Sequence, residues 1–191
     1  MSFRRIGLKG LLALALAAPV SGEDWGVGAS FGLVNDGERR LRLDEFEPSD
    51  ANAWVDYRME DQVLLRATAG SMKTKGENAG LQTDSDVVLP DLEQRIDYVT
   101  VGVAYQFWEG NYSSAIFGGI GGYKINPDPV EEEFRNFRDP HEKVFGWHAG
   151  VEADLRVLSR ISLIGRLTYH KVLSGFGRSL LTANAGAVYR F

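Results

Sequence analysis

The sequence contains no cysteine. That absence excludes a disulfide framework, a thiolate metal site, a cysteine nucleophile and an N-terminal lipid-modified cysteine. Histidine is scarce, with only His141, His148 and His170, so few groups are available for acid–base chemistry near neutral pH. No apolar run approaches the roughly 20 residues that a membrane-spanning helix needs. There is no basic run either, and the chain is acidic overall, with 21 Lys and Arg against 26 Asp and Glu. Phosphate neutralisation dominates nucleic-acid affinity, so a nucleic-acid partner is not expected.

What is present starts with an export signal. Arg4, Arg5 and Lys9 precede a short apolar core from Gly10 to Val20, and Val20-Ser21-Gly22 places small residues where a signal peptidase cuts. Residues 1–22 are therefore expected to be a cleaved signal peptide, with residues 23–191 forming a single domain. Loss of the signal would leave 18 Lys and Arg against 26 acids, a net charge of −8.

The mature chain alternates. Its last strand sets Leu181, Ala183, Ala185, Ala187, Tyr189 and Phe191 on one face, with Thr182, Asn184, Gly186, Val188 and Arg190 on the other. An apolar face running to the chain end is an aggregation hazard on an open soluble sheet. A closed barrel in lipid has no edge and takes apolar side chains on its outside. Seven further stretches alternate in the same way. They lie at 25–34, 52–60, 63–70, 98–107, 113–124, 145–155 and 161–170. In the first, Gly26, Gly28, Ser30 and Gly32 form one face, which suits a narrow barrel interior rather than a soluble core that needs bulk. In 113–124, carrying the facing across Glu109-Gly110 places Ala115, Phe117, Gly119, Gly121 and Tyr123 outside, with Ile116, Gly118 and Ile120 inside.

The connections sort by length along the chain. Aperiodic, charged stretches from Asn35 to about Ala51, Lys73 to Glu93 and Ile125 to Glu142 alternate with tight turns at Glu60-Asp61, Glu109-Gly110 and Arg156 to Arg160. Bacterial outer-membrane barrels place long loops toward the medium and short turns toward the periplasm. The expected fold is all-β: an eight-stranded antiparallel up-and-down transmembrane β-barrel. Either face of each strand can be read as inward, and a soluble lipocalin-like barrel is the inverse arrangement. Against it stand the apolar face on every strand, the glycine face of residues 25–34 and the terminal Phe191.

On the membrane topology, one outer rim carries Trp25, Tyr57, Tyr105, Phe107, Tyr189 and Phe191. The other carries Tyr123, Phe145, Trp147 and Tyr169, as an aromatic girdle requires. The inner face carries charges of both signs, which must pair in a low dielectric. The turns bring Asp56 near Arg66 and Glu152 near Arg166, so these four are expected to form an interior salt-bridge core rather than a catalytic site or a pore.

Phe145-Gly-Trp-His-Ala-Gly-Val-Glu-Ala-Asp-Leu, followed by Ile161-Ser-Leu-Ile-Gly-Arg-Leu-Thr-Tyr, resembles the penultimate hairpin of the outer-membrane β-barrel domain family. These are the small eight-stranded barrels similar to the OmpA membrane domain and OmpX. Ala185-Gly-Ala-Val-Tyr-Arg-Phe191 resembles their C-terminal signature, a strand ending aromatic-x-Phe. The resemblance implies a bacterial outer-membrane location among lipid and lipopolysaccharide, and a monomer. It also implies biogenesis with periplasmic chaperones and the barrel assembly machinery, with Tyr189 and Phe191 as the assembly signal. A peptidoglycan-binding domain like that of OmpA is not expected.

Some barrels of this size are lipid A deacylases or acyltransferases, and this is the alternative function. A deacylase needs a serine activated by a histidine. His170 with Ser174 is the pair to weigh, but its spacing is four rather than the two of those enzymes, Gly175 follows, and His170 is expected to face inward. No catalytic, cofactor or metal residues are assigned. The acidic run Glu131 to Glu133 lacks the spaced ligands of a calcium loop.

Overall fold

A computed structural model describes residues 24–36, 47–76, 92–107, 111–127, 142–173 and 179–191. Within them the chain forms eight strands. They are β1 (Trp25–Asp36), β2 (Glu47–Glu60), β3 (Val63–Gly76), β4 (Leu92–Gln106), β5 (Tyr112–Pro127), β6 (Glu142–Arg156), β7 (Ile161–Val172) and β8 (Ser179–Arg190). Each pairs antiparallel with the next, and β1 closes on β8, giving a barrel with no free edge. The closing register is unbroken from Gly26 opposite Arg190 to Asp36 opposite Leu180. The expected signal segment lies outside the described residues.

The apolar set faces outward. Phe31 is 73% exposed, Val99 62% and Ile120 53%, whereas Asp56, Arg66, Glu152 and Arg166 are all buried. A soluble barrel would invert this pattern, because exposing so much apolar surface to water is unfavourable. The lipocalin-like arrangement is therefore the wrong one.

One strand departs from the sequence reading. In β5, Ala115, Phe117 and Tyr123 are buried inside, and Ile116 and Ile120 are outside. The pairing sets Tyr105 opposite Ile116 and Ala104 opposite Phe117. Odd-numbered outward positions of β4 thus face even-numbered ones of β5, and a one-residue difference at a turn moves every side chain to the other face. Gly118, Gly119, Gly121 and Gly122 carry no side chain that could have betrayed the slip. Tyr123 accordingly leaves the outer rim.

The strands also run further than their hydrophobic alternation. β2 begins at Glu47, β3 continues to Gly76 and β4 begins at Leu92, all within stretches expected to be loops. The backbone ladder continues there while the outward side chains turn polar, so the apolar/polar period disappears although the strand does not. The charged residues that ended the pattern are part of the wall.

Candidate functional site

Two regions can carry function: the filled interior and the outer surface at its two rims. At mid-height the interior holds a four-residue ionic network. Asp56 and Arg66 are cross-strand partners on β2 and β3, and Glu152 and Arg166 are partners on β6 and β7. Arg66 donates to Asp56 through Nε at 2.6 Å and Nη2 at 2.8 Å. The same guanidinium reaches across the lumen to Glu152, with Nη1 at 2.8 Å and Nη2 at 3.2 Å. Arg166 donates to Glu152 Oε2 from Nε at 2.9 Å and Nη2 at 2.5 Å. Two bidentate pairs and a shared carboxylate thus tie opposite walls together.

Two aromatic rings enclose the arginines. Arg166 Cζ lies 3.9 Å from the Trp54 ring centroid, and Arg66 and Arg166 lie 5.5 and 5.2 Å from that of Phe117. Ring faces are negative, which helps a low-dielectric lumen hold two neighbouring cations. Room for the rings comes from glycine. Trp54 is paired with Gly28, Tyr98 with Gly70 and Phe117 with Gly150. A Cβ on Gly28 would come within 2.1 Å of the Trp54 ring. The sequence marked the glycine face of β1 but not the aromatics that require it.

Toward the long connections the lumen holds further polar groups, of which the sequence placed the two histidines inside but set Asp50 in a loop and Tyr123 outside. Asp50, at the start of β2, accepts hydrogen bonds from the Asn184 amide at 2.6 Å and the Asn52 amide at 3.1 Å. His148 and His170 lie side by side with ring centroids 5.7 Å apart, and His170 Nδ1 is 3.1 Å from the Tyr123 hydroxyl. Further along sits an apolar cluster of Val34, Met72, Ile96, Tyr98, Tyr123, Ile125, Val172 and Leu180, none more than 7% exposed. Most of these residues have the right parity for the interior, but lie where the outward face had already turned polar. Near the short turns, Arg190 pairs with Asp154 and donates to Ser162 at 2.6 Å.

The outer surface carries aromatics toward both ends of the strands. Tyr57, Tyr105, Phe107 and Tyr189 are exposed at the short-turn end, as are Phe145, Trp147 and Tyr169 at the other. Neighbouring rings touch: Trp25–Tyr57 at 4.9 Å, Tyr189–Phe191 at 5.1 Å and Trp147–Tyr169 at 5.5 Å between centroids. His170, the histidine of the deacylase alternative, is 2% exposed and faces the lumen. Ser174, His141 and the Glu131–Glu133 run lie outside the described residues. Among the described residues no group of His, Asp and Glu is arranged to hold a metal ion.

Residues 6–191 match the family model of the outer membrane protein beta-barrel domain. The chain belongs to that family. It is a bacterial outer-membrane protein. No curated protein matches the chain. Among solved structures it is similar to a major outer membrane protein from Thermus thermophilus, at 13% identity, TM-score 0.65, covering 88% of this chain and 98% of that one. Neisserial surface protein A is similar at 10% identity and TM-score 0.61, covering 89% and 98%. The Yersinia pestis attachment invasion locus protein Ail, in complex with the heparin analogue sucrose octasulfate, is similar at 15% identity and TM-score 0.53, covering 88% and 97%. At these identities the likeness is one of fold.

Proposed function

We propose that this outer-membrane barrel is a non-porin with a structural or surface-interaction role, exerted through its long connections at residues 37–46, 77–91 and 128–141. The observation that carries the non-porin part is the Asp56–Arg66–Glu152–Arg166 network spanning the lumen. Beyond it lies the apolar cluster around Met72 and Ile96. An eight-stranded interior is just wide enough for side chains to fill. The surface part is supported by where clustered charge lies: Arg39-Arg40, Asp84 to Asp91 and Glu131 to Arg138 all fall in those connections, and loops on a rigid scaffold are where recognition concentrates. Ail, named for attachment and invasion, uses a barrel of the same fold. In this reading the protein is a monomer and not an enzyme. Periplasmic chaperones and the barrel assembly machinery deliver it to the membrane through the Tyr189 and Phe191 signal.

The test displays the intact protein, and versions with each long connection replaced by a short turn, on cells. Their binding to immobilised matrix proteins, sulfated polysaccharide and epithelial cells is then compared. Capture that disappears with one connection while the barrel still migrates as a folded species supports the surface role. Lipid A mass spectra decide against it if cells with the intact protein show a mass change that His170→Ala abolishes.

A further inference from the structure

Beside the ionic network the lumen holds two histidines that the surface role leaves unused. His148 on β6 and His170 on β7 are cross-strand partners, so their side chains enter the lumen at one level. Both are buried, and their ring centroids stand 5.7 Å apart. His148 Nδ1 and His170 Nε2 are buried atoms that meet no hydrogen-bond partner. Buried polar atoms are almost always satisfied, so two bare nitrogens on adjoining rings mark a place where something else binds.

The wall makes room for these rings. An added Cβ on Gly119 would stand 2.7 Å from His148 Cε1, and one on Gly146 would stand 2.7 Å from the Tyr123 ring. The Tyr123 hydroxyl meets His170 Nδ1 at 3.1 Å. A proton on Nδ1, donated to the tyrosine oxygen, leaves Nε2 as a bare lone pair; the other tautomer would bury an N–H with no acceptor, the costlier arrangement. A hydrogen bond at the second ring nitrogen is also what orients a metal-binding imidazole. Tyr98 and Phe117 complete the lining, with centroids 5.2 Å from His170 and 5.9 Å from His148. Among the described residues no third histidine or carboxylate joins the pair. The donor set is therefore two neutral nitrogens in an aromatic box.

We infer that His148 and His170 form a two-coordinate site for a closed-shell monovalent metal ion of the copper(I) type. Three features select this ion. Imidazole is a ligand that suits copper, whereas zinc asks for three or four protein ligands, and the pair supplies two. An ion about 2 Å from each nitrogen, held between two imidazoles, sets their ring centres about 6 Å apart, close to the spacing of His148 and His170. The third feature is charge. Arg66 and Arg166 lie 5.5 and 5.2 Å from the Phe117 centroid, and the carboxylates of Asp56 and Glu152 are already engaged by them. A divalent ion at the histidines would bury two charges with no carboxylate of its own, and a monovalent ion buries half as much.

The experiment uses silver(I), which has the same closed shell and charge as copper(I) and stays in one oxidation state. Silver(I) is added to the purified protein in chloride-free detergent solution, either during refolding or afterwards, and native mass spectrometry after desalting counts the bound ions. One silver ion per wild-type barrel is expected, with more than about a hundredfold weaker binding in His148→Gln and in His170→Gln. His148→Met keeps a soft donor and should retain the ion. Heat-modifiable migration shows that each variant compared is folded. Copper(I), kept reduced with ascorbate, should displace the silver. A wild-type barrel that retains no silver by either route overturns the inference, whatever the variants do. So does retention that survives His148→Gln/His170→Gln, which would make it an adventitious ion only, and so does its loss in a folded His148→Met barrel. Zinc(II) held through the same histidines more tightly than silver(I) would also overturn it.

Discussion

Arg66 and Glu152 stand 86 positions apart in the chain and on opposite walls of the barrel, yet the guanidinium meets the carboxylate with two hydrogen bonds, at 2.8 and 3.2 Å. This contact joins two local hairpin pairs, Asp56–Arg66 and Glu152–Arg166, into one network. Glu152 is its hinge, because it alone touches both arginines. Glu152→Ala leaves both arginines short of a partner, and removing one member of a buried ionic group is expected to destabilise the barrel by about 3–5 kcal/mol. Urea unfolding in lipid vesicles measures it. Replacing all four members with apolar residues of similar size is expected to cost much less, since desolvation of the charges is then avoided.

The pairing of large rings with absent side chains gives a sharper local test. Gly28→Ala would drive a methyl group into the Trp54 ring, at 2.1 Å, and overpacking of this kind costs about 1–3 kcal/mol. Gly165→Ala, on the outer face with nothing within 4 Å of its added Cβ, is expected to change stability by less than about 0.5 kcal/mol. The same unfolding assay run on both proteins checks the contrast.

The facing of the wall predicts the response to a misplaced charge. Val101 is 56% exposed on β4, between the two rims. Val101→Arg is expected to cost about 2–4 kcal/mol in lipid, as charges on the lipid face near mid-membrane do. Lys73→Gln, at the medium-side rim, should be nearly neutral for folding in neutral lipid. A Val101→Arg protein as stable in vesicles as the wild type would mean that β4 does not face hydrocarbon.

The strands and their sorting by connection length were legible in the sequence because hydrophobic alternation is a strong signal wherever one face meets lipid. Asp56 with Arg66 and Glu152 with Arg166 were also legible, since tight turns fix hairpin register; in the structure both are cross-strand partners. The cross-lumen contact of Arg66 with Glu152 was not, because no local pattern encodes how a barrel closes. β5 was misread for want of side chains, not want of strand. The upper wall was misread for the opposite reason: Lys73 read as loop polarity although it stands on a paired strand.

Phe191 gives a prediction about biogenesis rather than stability. Its N–H donates to the Trp25 carbonyl at 3.0 Å and its ring packs on Tyr189. These are few contacts beside the full β1–β8 ladder. Deleting Phe191 is expected to leave the refolded barrel's unfolding midpoint nearly unchanged while sharply lowering the amount inserted in cells. Quantitative surface labelling of the two proteins checks it, and equal labelling would remove Phe191 from the assembly signal.

The most direct test of the central claim, a barrel whose interior is a filled ionic and apolar core, is ion conductance across a planar lipid bilayer containing the purified, folded wild-type protein. A heat-modifiable, β-rich protein that inserts without unitary current steps is expected, because Arg66, Glu152 and Arg166 join the walls and the Met72–Ile96 cluster lies beyond them. Reproducible open-channel steps from the wild-type protein, scaling with salt concentration, would contradict it.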